Sequence, residues 1–274
     1  MSLTTRHIKE FQSVVWKYYR LHGRVLPWRD TRLPYRIFVS EVMLQQTQAE
    51  RVVPFYNRFL EQFPSVSSLA RAPMKKVLAL WQGLGYNRRA LHLKHAAEAV
   101  VKKHKGKFPV TLPELDDLPG VGIYTASAVM AFAYNKPAVF IETNIRAVFL
   151  HFFFKKRTKV SDNEILAFVG KTLDRDNPRE WYQALMDYGA MLKRTIGNPN
   201  VRSRTYVKQS RFEGSRRQIR GRLVKLALQK TLTLKRLESF CREFKIAPTL
   251  TQSIISDLVS EKFLYVRGSS FMVS

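Results

Sequence analysis

Apolar side chains return every three to four positions along almost the whole chain, and that period constrains its fold more than any other feature. Ile8, Phe11, Val15 and Tyr18 line one face, and Leu93, Ala96, Ala97, Val100 and Val101 line another. A period near 3.6 buries one stripe of a helix, whereas a half-buried strand requires strict alternation. Start signals agree. Ser161 and Glu164 have capping-box spacing, and Asn177 precedes a proline suited to a first helical turn. Pro27, Pro34, Pro54, Pro64, Pro73, Pro109, Pro113 and Pro119 cut the first half into short lengths, as a bundle of short helices requires. The expected class is all-α.

The 274 residues suit a main body with a smaller appendage. Lys and Arg number 47 against 21 Asp and Glu, for a formal charge of +26 spread along the chain. A polyanionic partner is the natural reading, against a merely soluble basic protein or a membrane-surface binder. Cys241 is the only cysteine, so neither an internal disulfide nor a Cys-ligated zinc or iron-sulfur site can be built. Met1 to Glu10 lacks a signal-peptide core and no stretch reaches the length of a membrane span. The expectation is an intracellular, cytoplasmic, nucleoid-associated monomer without a membrane partner.

Lys193 to Lys225 holds eleven Lys and Arg and one acid, Glu213. It reads as a linker, either a strap along a phosphate backbone or a solvated spacer. Beyond it come three short helical patterns: Ile219 to Leu228, then Leu237, Phe240, Cys241 and Phe244, then Ile254, Ile255, Leu258 and Val259. Leu264 and Val266, a turn at Arg267 to Ser270, and Phe271 and Val273 alternate as a strand pair does. Residues 211–274 are therefore expected to form a winged-helix-like domain. Its third helix carries Asp257 and Glu261 beside Lys262, so contact with another protein or a structural role stands beside contact with nucleic acid.

Leu118-Pro119-Gly120-Val121-Gly122 lies between an acidic helical turn, Glu114 to Asp117, and the helical run Tyr124 to Phe132. Two glycines around one valine let the backbone turn tightly and present amides to a phosphate at a helix N-terminus. An ordinary interhelical turn is the plain alternative. Gly120, Val121 and Gly122 are thus candidate DNA-binding residues.

Five segments together carry a family resemblance: Pro27-Trp28-Arg29, Ser40 to Thr47 (SEVMLQQT), Gly83-Leu84-Gly85-Tyr86, the Leu118 to Gly122 hairpin, and Ala184 to Ala190 (ALMDYGA). In order and spacing the chain resembles MutY-type adenine DNA glycosylases of the helix-hairpin-helix superfamily. The resemblance implies a two-lobed fold: residues 1–22 with 134–210 as one helical lobe, 23–133 as a six-helix barrel bearing the hairpin, and the winged-helix-like 211–274. Most relatives hold a four-iron cluster on four cysteines after the Gly-Ala segment. Here Lys193 follows Leu192 and no cysteine appears, so no cluster is expected and the basic strap is expected to take its DNA-facing role. Residues 211–274 are also too few for the Nudix-like domain with which many such enzymes recognise 8-oxoguanine.

Breaking an N-glycosidic bond leaves a cation-like sugar and a base to be neutralised, so an acid and an anion are needed on either side. The resemblance places Glu41 as the general acid, and its apolar neighbours Ile37, Phe38, Val42 and Leu44 would raise its pKa. It places Glu142 where the superfamily normally has aspartate, with Asn144 kept two places on. The added C–C bond is about 1.5 Å, so the pocket has moved, the chemistry is weakened, or the substrate differs. Glu142 is expected to stabilise the sugar cation, against a salt-bridge role with Arg146. Tyr124 occupies the position of a Schiff-base lysine in endonuclease III-type relatives; a phenol forms no imine, and it is expected to hydrogen-bond Glu142. Gln46 and Tyr86 match wedge residues that fill the stack when a base is extruded, and Arg89 is expected at the DNA. Arg29 and Gln183 match base-pocket positions. The carbonyls of Asp116, Leu118 and Val121 are expected to hold a monovalent cation, Na+ or K+, and no other cofactor is foreseen.

The function implied is a monofunctional glycosylase acting on duplex DNA, removing adenine mispaired with guanine or 8-oxoguanine. Two other readings stand beside it: a glycosylase for thymine or uracil opposite guanine, or for hypoxanthine, and a non-catalytic DNA-binding module.

Overall fold

The helix after the Pro-Gly-Val-Gly turn is apolar on every side, which decides where it sits. A computed structural model describes residues 3–273; Met1, Ser2 and Ser274, at the outer ends of the expected domains, lie outside the described residues. In chain order the helices are α1 (Thr5–His22), α2 (Pro34–Leu44), α3 (Ala49–Gln62), α4 (Val66–Arg71), α5 (Met74–Trp81), α6 (Arg88–His104), α7 (Leu112–Asp116) and α8 (Ile123–Tyr134). They continue with α9 (Thr143–Phe153), α10 (Asp162–Thr172), α11 (Pro178–Thr195), α12 (Arg216–Gln229), α13 (Leu234–Phe244) and α14 (Pro248–Ser260). Short 3-10 turns lie at Pro27–Arg29 and Pro199–Arg202, and the strands are β1 (Leu232–Thr233), β2 (Leu264–Arg267) and β3 (Ser270–Val273). No described helix is long and apolar enough to cross a membrane.

The chain divides into two compact units, Met1–Glu41 with Phe108–Lys208 and Val42–Lys107 with Gln209–Ser274. This redraws the expected division. In the first unit every residue of α8 from Thr125 to Ala133 is buried, as a helix without a polar face must be. α11 packs against α1, α8 and α9. Phe11 on α1 anchors their junction, its ring centroid 5.0–5.7 Å from those of Phe149, Phe152, Phe153 and Trp181. α10 opens with the expected capping box at Ser161 and Glu164. α11 opens at Pro178 as expected, but the Asn177 side chain makes no cap bond.

In the second unit α4 packs on α6 and α5 on α12. The buried stripe of α6 includes Leu93, Ala96, Ala97 and Val100, while Val101 is exposed. The C-terminal part has winged-helix topology: three helices and an antiparallel sheet in the order β1-β3-β2, with Leu264 opposite Val273. Only the two-residue β1, paired with β3, lay outside the sequence expectation. Glu261, which caps the C-terminus of the third helix, is tied to Arg220 on α12 and to Arg88 on α6, the latter at 2.9 Å. Asp257 pairs with Arg216 at 2.6 Å. The acidic residues of that helix are therefore spent within the unit.

Lys193 to Lys225 is not one spacer. Its start completes α11, Pro199–Arg202 forms a turn, Val160 and Ser203 form a parallel bridge, and α12 begins at Arg216.

Candidate active site

Glu41 lies on α2, only 4% exposed, among the buried side chains of Ile37, Phe38 and Val42. A carboxylate there has lost its water, so burial drives its pKa up, the nearby charge of Glu142 adds to the rise, and a hydrogen bond from Tyr124 opposes it; the carboxyl is pushed up to about 7. The Tyr124 hydroxyl, on the first turn of α8, donates to Glu41 Oε2 at 3.2 Å. Burial and then the two carboxyl groups raise the phenol well above its usual range, which keeps it a neutral donor. The expected bond from Tyr124 to Glu142 is thus corrected: its partner is Glu41.

Glu142 has the opposite surroundings. It is the N-cap of α9, and Oε1 accepts the backbone N–H groups of Asn144 and Ile145, both at 2.7 Å. Oε2 accepts Asn144 Nδ2 and Thr143 Oγ1, each at 3.1 Å. The extra methylene, relative to aspartate, is used to fold the carboxylate back over its own helix start, where orphan amides and the helix dipole favour negative charge. Arg146 pairs with Asp162 at 2.7 Å. Asn144 holds Glu142, as a residue kept beside the anion should.

The start of α9 is fixed from two further sides. A Cβ on Gly189 of α11 would lie 2.2 Å from the Asn144 carbonyl oxygen, so only glycine lets α11 pass so close. Asn200, 5% exposed, donates to the Thr143 carbonyl at 3.0 Å and to Asn198 Oδ1 at 2.9 Å. The sequence assigned neither residue a role, although Gly189 stood inside the ALMDYGA segment. Phe140 packs behind Tyr124, its ring stacked on Tyr182 at 3.9 Å and edge-on to Tyr124 at 5.6 Å.

The expected base-pocket residues have partners within the protein, and the expected DNA contact of Arg89 is corrected. Arg29 is half-buried and forms a bidentate pair: Nη1 and Nη2 bond both oxygens of Asp187 at 2.8 and 2.7 Å, and Nη1 also reaches the Arg24 carbonyl. It organises the Pro27–Arg29 turn. Gln183, which is buried, accepts the Tyr19 hydroxyl at 2.8 Å. Arg89 is 7% exposed, and its guanidinium donates to the carbonyls of Val42, Met43 and Gln45 at the end of α2 and to Leu84 and Gly85. Burial lowers its pKa to about 10. It ties the Gly-Leu-Gly-Tyr turn to α2 and does not face solvent.

Gln46 is exposed with a left-handed backbone, φ +54°, and Tyr86 is half-buried with φ +49°. In the hairpin Gly120 has φ +71° and the Val121 N–H closes the turn on the Leu118 carbonyl at 3.0 Å. Gly122 caps α8 without a side-chain bond to the first-turn amides. Gly120, Gly122 and Asp116 are exposed, whereas the Leu118 and Val121 side chains anchor the turn in the core.

A model of HhH-GPD superfamily base excision DNA repair proteins matches residues 39–169, the span that holds Glu41, the hairpin, Tyr124 and Glu142. Over these residues the chain is similar to the HhH-GPD superfamily. Its similar relatives include an adenine DNA glycosylase of Buchnera aphidicola subsp. Baizongia pistaciae, 32% identical over 66% of this chain and 52% of the relative. That of Mycobacterium tuberculosis is 42% identical over 52% of this chain and 47% of its own length. The Mus musculus protein is 32% identical over 67% of this chain and 38% of itself. The chain therefore spans about half or less of the length of these curated relatives. Among solved structures, a thermostable thymine-DNA glycosylase is similar with a TM-score of 0.62 and 26% identity, over 69% of this chain and 89% of that one. A trapped endonuclease III–DNA covalent intermediate matches with a TM-score of 0.55 and 22% identity, over 70% and 87%, which shows the shared fold.

Proposed function

We propose that the protein is a monofunctional DNA glycosylase that removes adenine mispaired with guanine or 8-oxoguanine from duplex DNA. One observation carries the reading: two glutamates of one unit sit in opposite environments, Glu41 desolvated with its pKa pushed up to about 7, Glu142 folded over its own helix start with amide donors turned toward it. Glu41 protonates the departing purine, and the glycosidic bond breaks with its electron pair leaving on the base. The Glu142 carboxylate stabilises the positive charge left on the sugar. Water then adds to the sugar carbon and returns its proton to Glu41. Tyr124 donates to Glu41 and forms no imine, so strand cleavage is not part of the reaction.

The +26 charge, the exposed hairpin backbone and the uncapped start of α8 support a grip on phosphates, with a monovalent cation at the carbonyls of Asp116, Leu118 and Val121. The adenine DNA glycosylases among the relatives support the choice of base. The reading includes no iron-sulfur cluster. The residues after α11 are a cysteine-free turn packed on α9, and the single thiol, Cys241, bonds Thr251 on another element, so the donor set does not fit one. A second reading, thymine opposite guanine, draws on the likeness to the thymine-DNA glycosylase.

Duplexes carrying A·G, A·8-oxoguanine, G·T, G·U and inosine pairs, incubated with the protein and heated in alkali to reveal abasic sites, test both readings. Excision confined to adenine is expected. Cleavage of G·T and G·U alone would establish the second reading, and no excision from any duplex would overturn both.

A further inference from the structure

The turn that carries Tyr86 is built from residues in the left-handed region, and the bonds that fix its backbone leave the Tyr86 ring to be aimed separately. Gly83 and Gly85 have φ of +101° and +76°, Tyr86 follows at +49°, and a Cβ on Gly85 would touch nothing within 4 Å. Such a turn does not by itself aim an aromatic ring. A wedge that replaces a base in the stack needs its ring held before it meets DNA, because ordering it on arrival costs binding energy.

The ring is held from two directions. Arg89, anchored on the Leu84 and Gly85 carbonyls, places its guanidinium 5.5 Å from the ring centroid. The other support comes from more than a hundred positions along the chain, where the basic strap enters α12. Arg217 donates from Nη1 to the Tyr86 hydroxyl at 2.6 Å, its guanidinium 5.7 Å from the ring centroid. Gln209 Nε2 donates to the same hydroxyl. Arg217 is itself steadied by Nη2 bonds to the Ser210 carbonyl at 2.8 Å and to Ser210 Oγ at 3.2 Å. Two donors occupy the acceptor capacity of the phenol oxygen, so the hydroxyl, not the ring face alone, is the handle.

We infer that Gln209 and Arg217 are positioning residues that hold Tyr86 ready for nucleotide extrusion, making the strap a working part of base flipping. This rests on the glycosylase reading and on Tyr86 as the wedge. It separates two jobs for a basic strap. An arginine that contacts a phosphate changes the salt dependence of binding, whereas one that aims a tyrosine changes extrusion and leaves that slope alone.

The test uses the full chain and a duplex with 2-aminopurine at the target position, reading extrusion by fluorescence and affinity across a salt series. Arg217→Met and Tyr86→Phe should each lower the extrusion rate by roughly tenfold, the scale expected for losing a hydrogen bond to a charged donor. The double variant should be no slower than Tyr86→Phe alone, because losing the phenol oxygen already removes the bond from Arg217. Gln209→Ala, at an exposed position that leaves folding intact, should slow extrusion to a lesser degree. The salt slope should stay that of the wild type in all four. Additive losses in the double variant would overturn the inference, as would wild-type extrusion in Arg217→Met with a salt slope reduced by about one. Tyr86→Ala separates the two levels. If it extrudes normally, the wedge reading falls and this inference with it; if it is impaired while Arg217→Met and Tyr86→Phe are not, only the inference falls.

Discussion

Glu41 and Glu142 are the same side chain placed in two unlike settings. One sits inside α2 with apolar neighbours and a single phenol donor; the other caps α9 with two backbone amides, a carboxamide and a hydroxyl turned toward it. Desolvation without donors favours the neutral acid, and donors at a helix start favour the anion. Backbone position alone thus divides the roles, without any difference in residue type.

The largest effect that would sharpen this contrast is loss of the proton. Glu41→Gln should keep DNA affinity and lose excision by about 10³-fold, within the range of general-acid contributions; single-turnover rates and a binding titration measure the two separately. Next comes loss of the anion. Glu142→Ala should slow excision by about 10²-fold or more and cost about 1 kcal/mol as a lost cap. Glu142→Asp, still an anion and a better cap, should remain within about tenfold of the wild type. An Ala variant as active as the Asp variant would break the comparison.

Stability offers a third test with a definite sign. Glu41 has a folded pKa of about 7 against roughly 4.3 in an unfolded chain, so the folded state binds the extra proton. Its contribution is present below the unfolded value and is lost as pH rises through the folded one. Wild type should therefore lose about 3 kcal/mol relative to Glu41→Gln between pH 4.5 and pH 8, read as the difference between paired denaturation curves. Equal pH dependence in the two proteins would contradict the buried-acid assignment. The smallest effect is expected at Asn200→Ala, about 1 kcal/mol by chemical denaturation. The lost donor to Thr143 is offset in part because Asn200 Oδ1 is buried without a hydrogen-bond partner.

How much of this was legible in the sequence follows the range of the interactions. Helix periods, the Ser161 capping box and the closing strand pair are local, and each stood in the sequence. Glu41 was legible because its burial comes partly from neighbours on its own helix. Arg89 was misread as DNA-facing, and the ion pair of Arg29 went unseen, because the resemblance marks a position and says nothing of where its charge is spent. Asp187 lies 158 residues from Arg29, and the α2 carbonyls that occupy Arg89 lie more than 40 positions earlier. Glu142 was legible as an anion, but its fold-back over α9 depends on a rotamer that no spacing reveals. The 3-10 turn at Asn200 was hidden within a run of basic residues that looked like spacer.

The central claim is that Glu41 works as a protonated acid beside a standing anion. Single-turnover excision from an adenine mispair, followed from pH 5 to pH 9, tests it most directly. The rate should be flat at low pH and fall about tenfold per unit above a break near 7, with Glu41→Gln slow and without that break. A wild-type rate that rises or stays level from pH 6 to pH 9 would contradict the account.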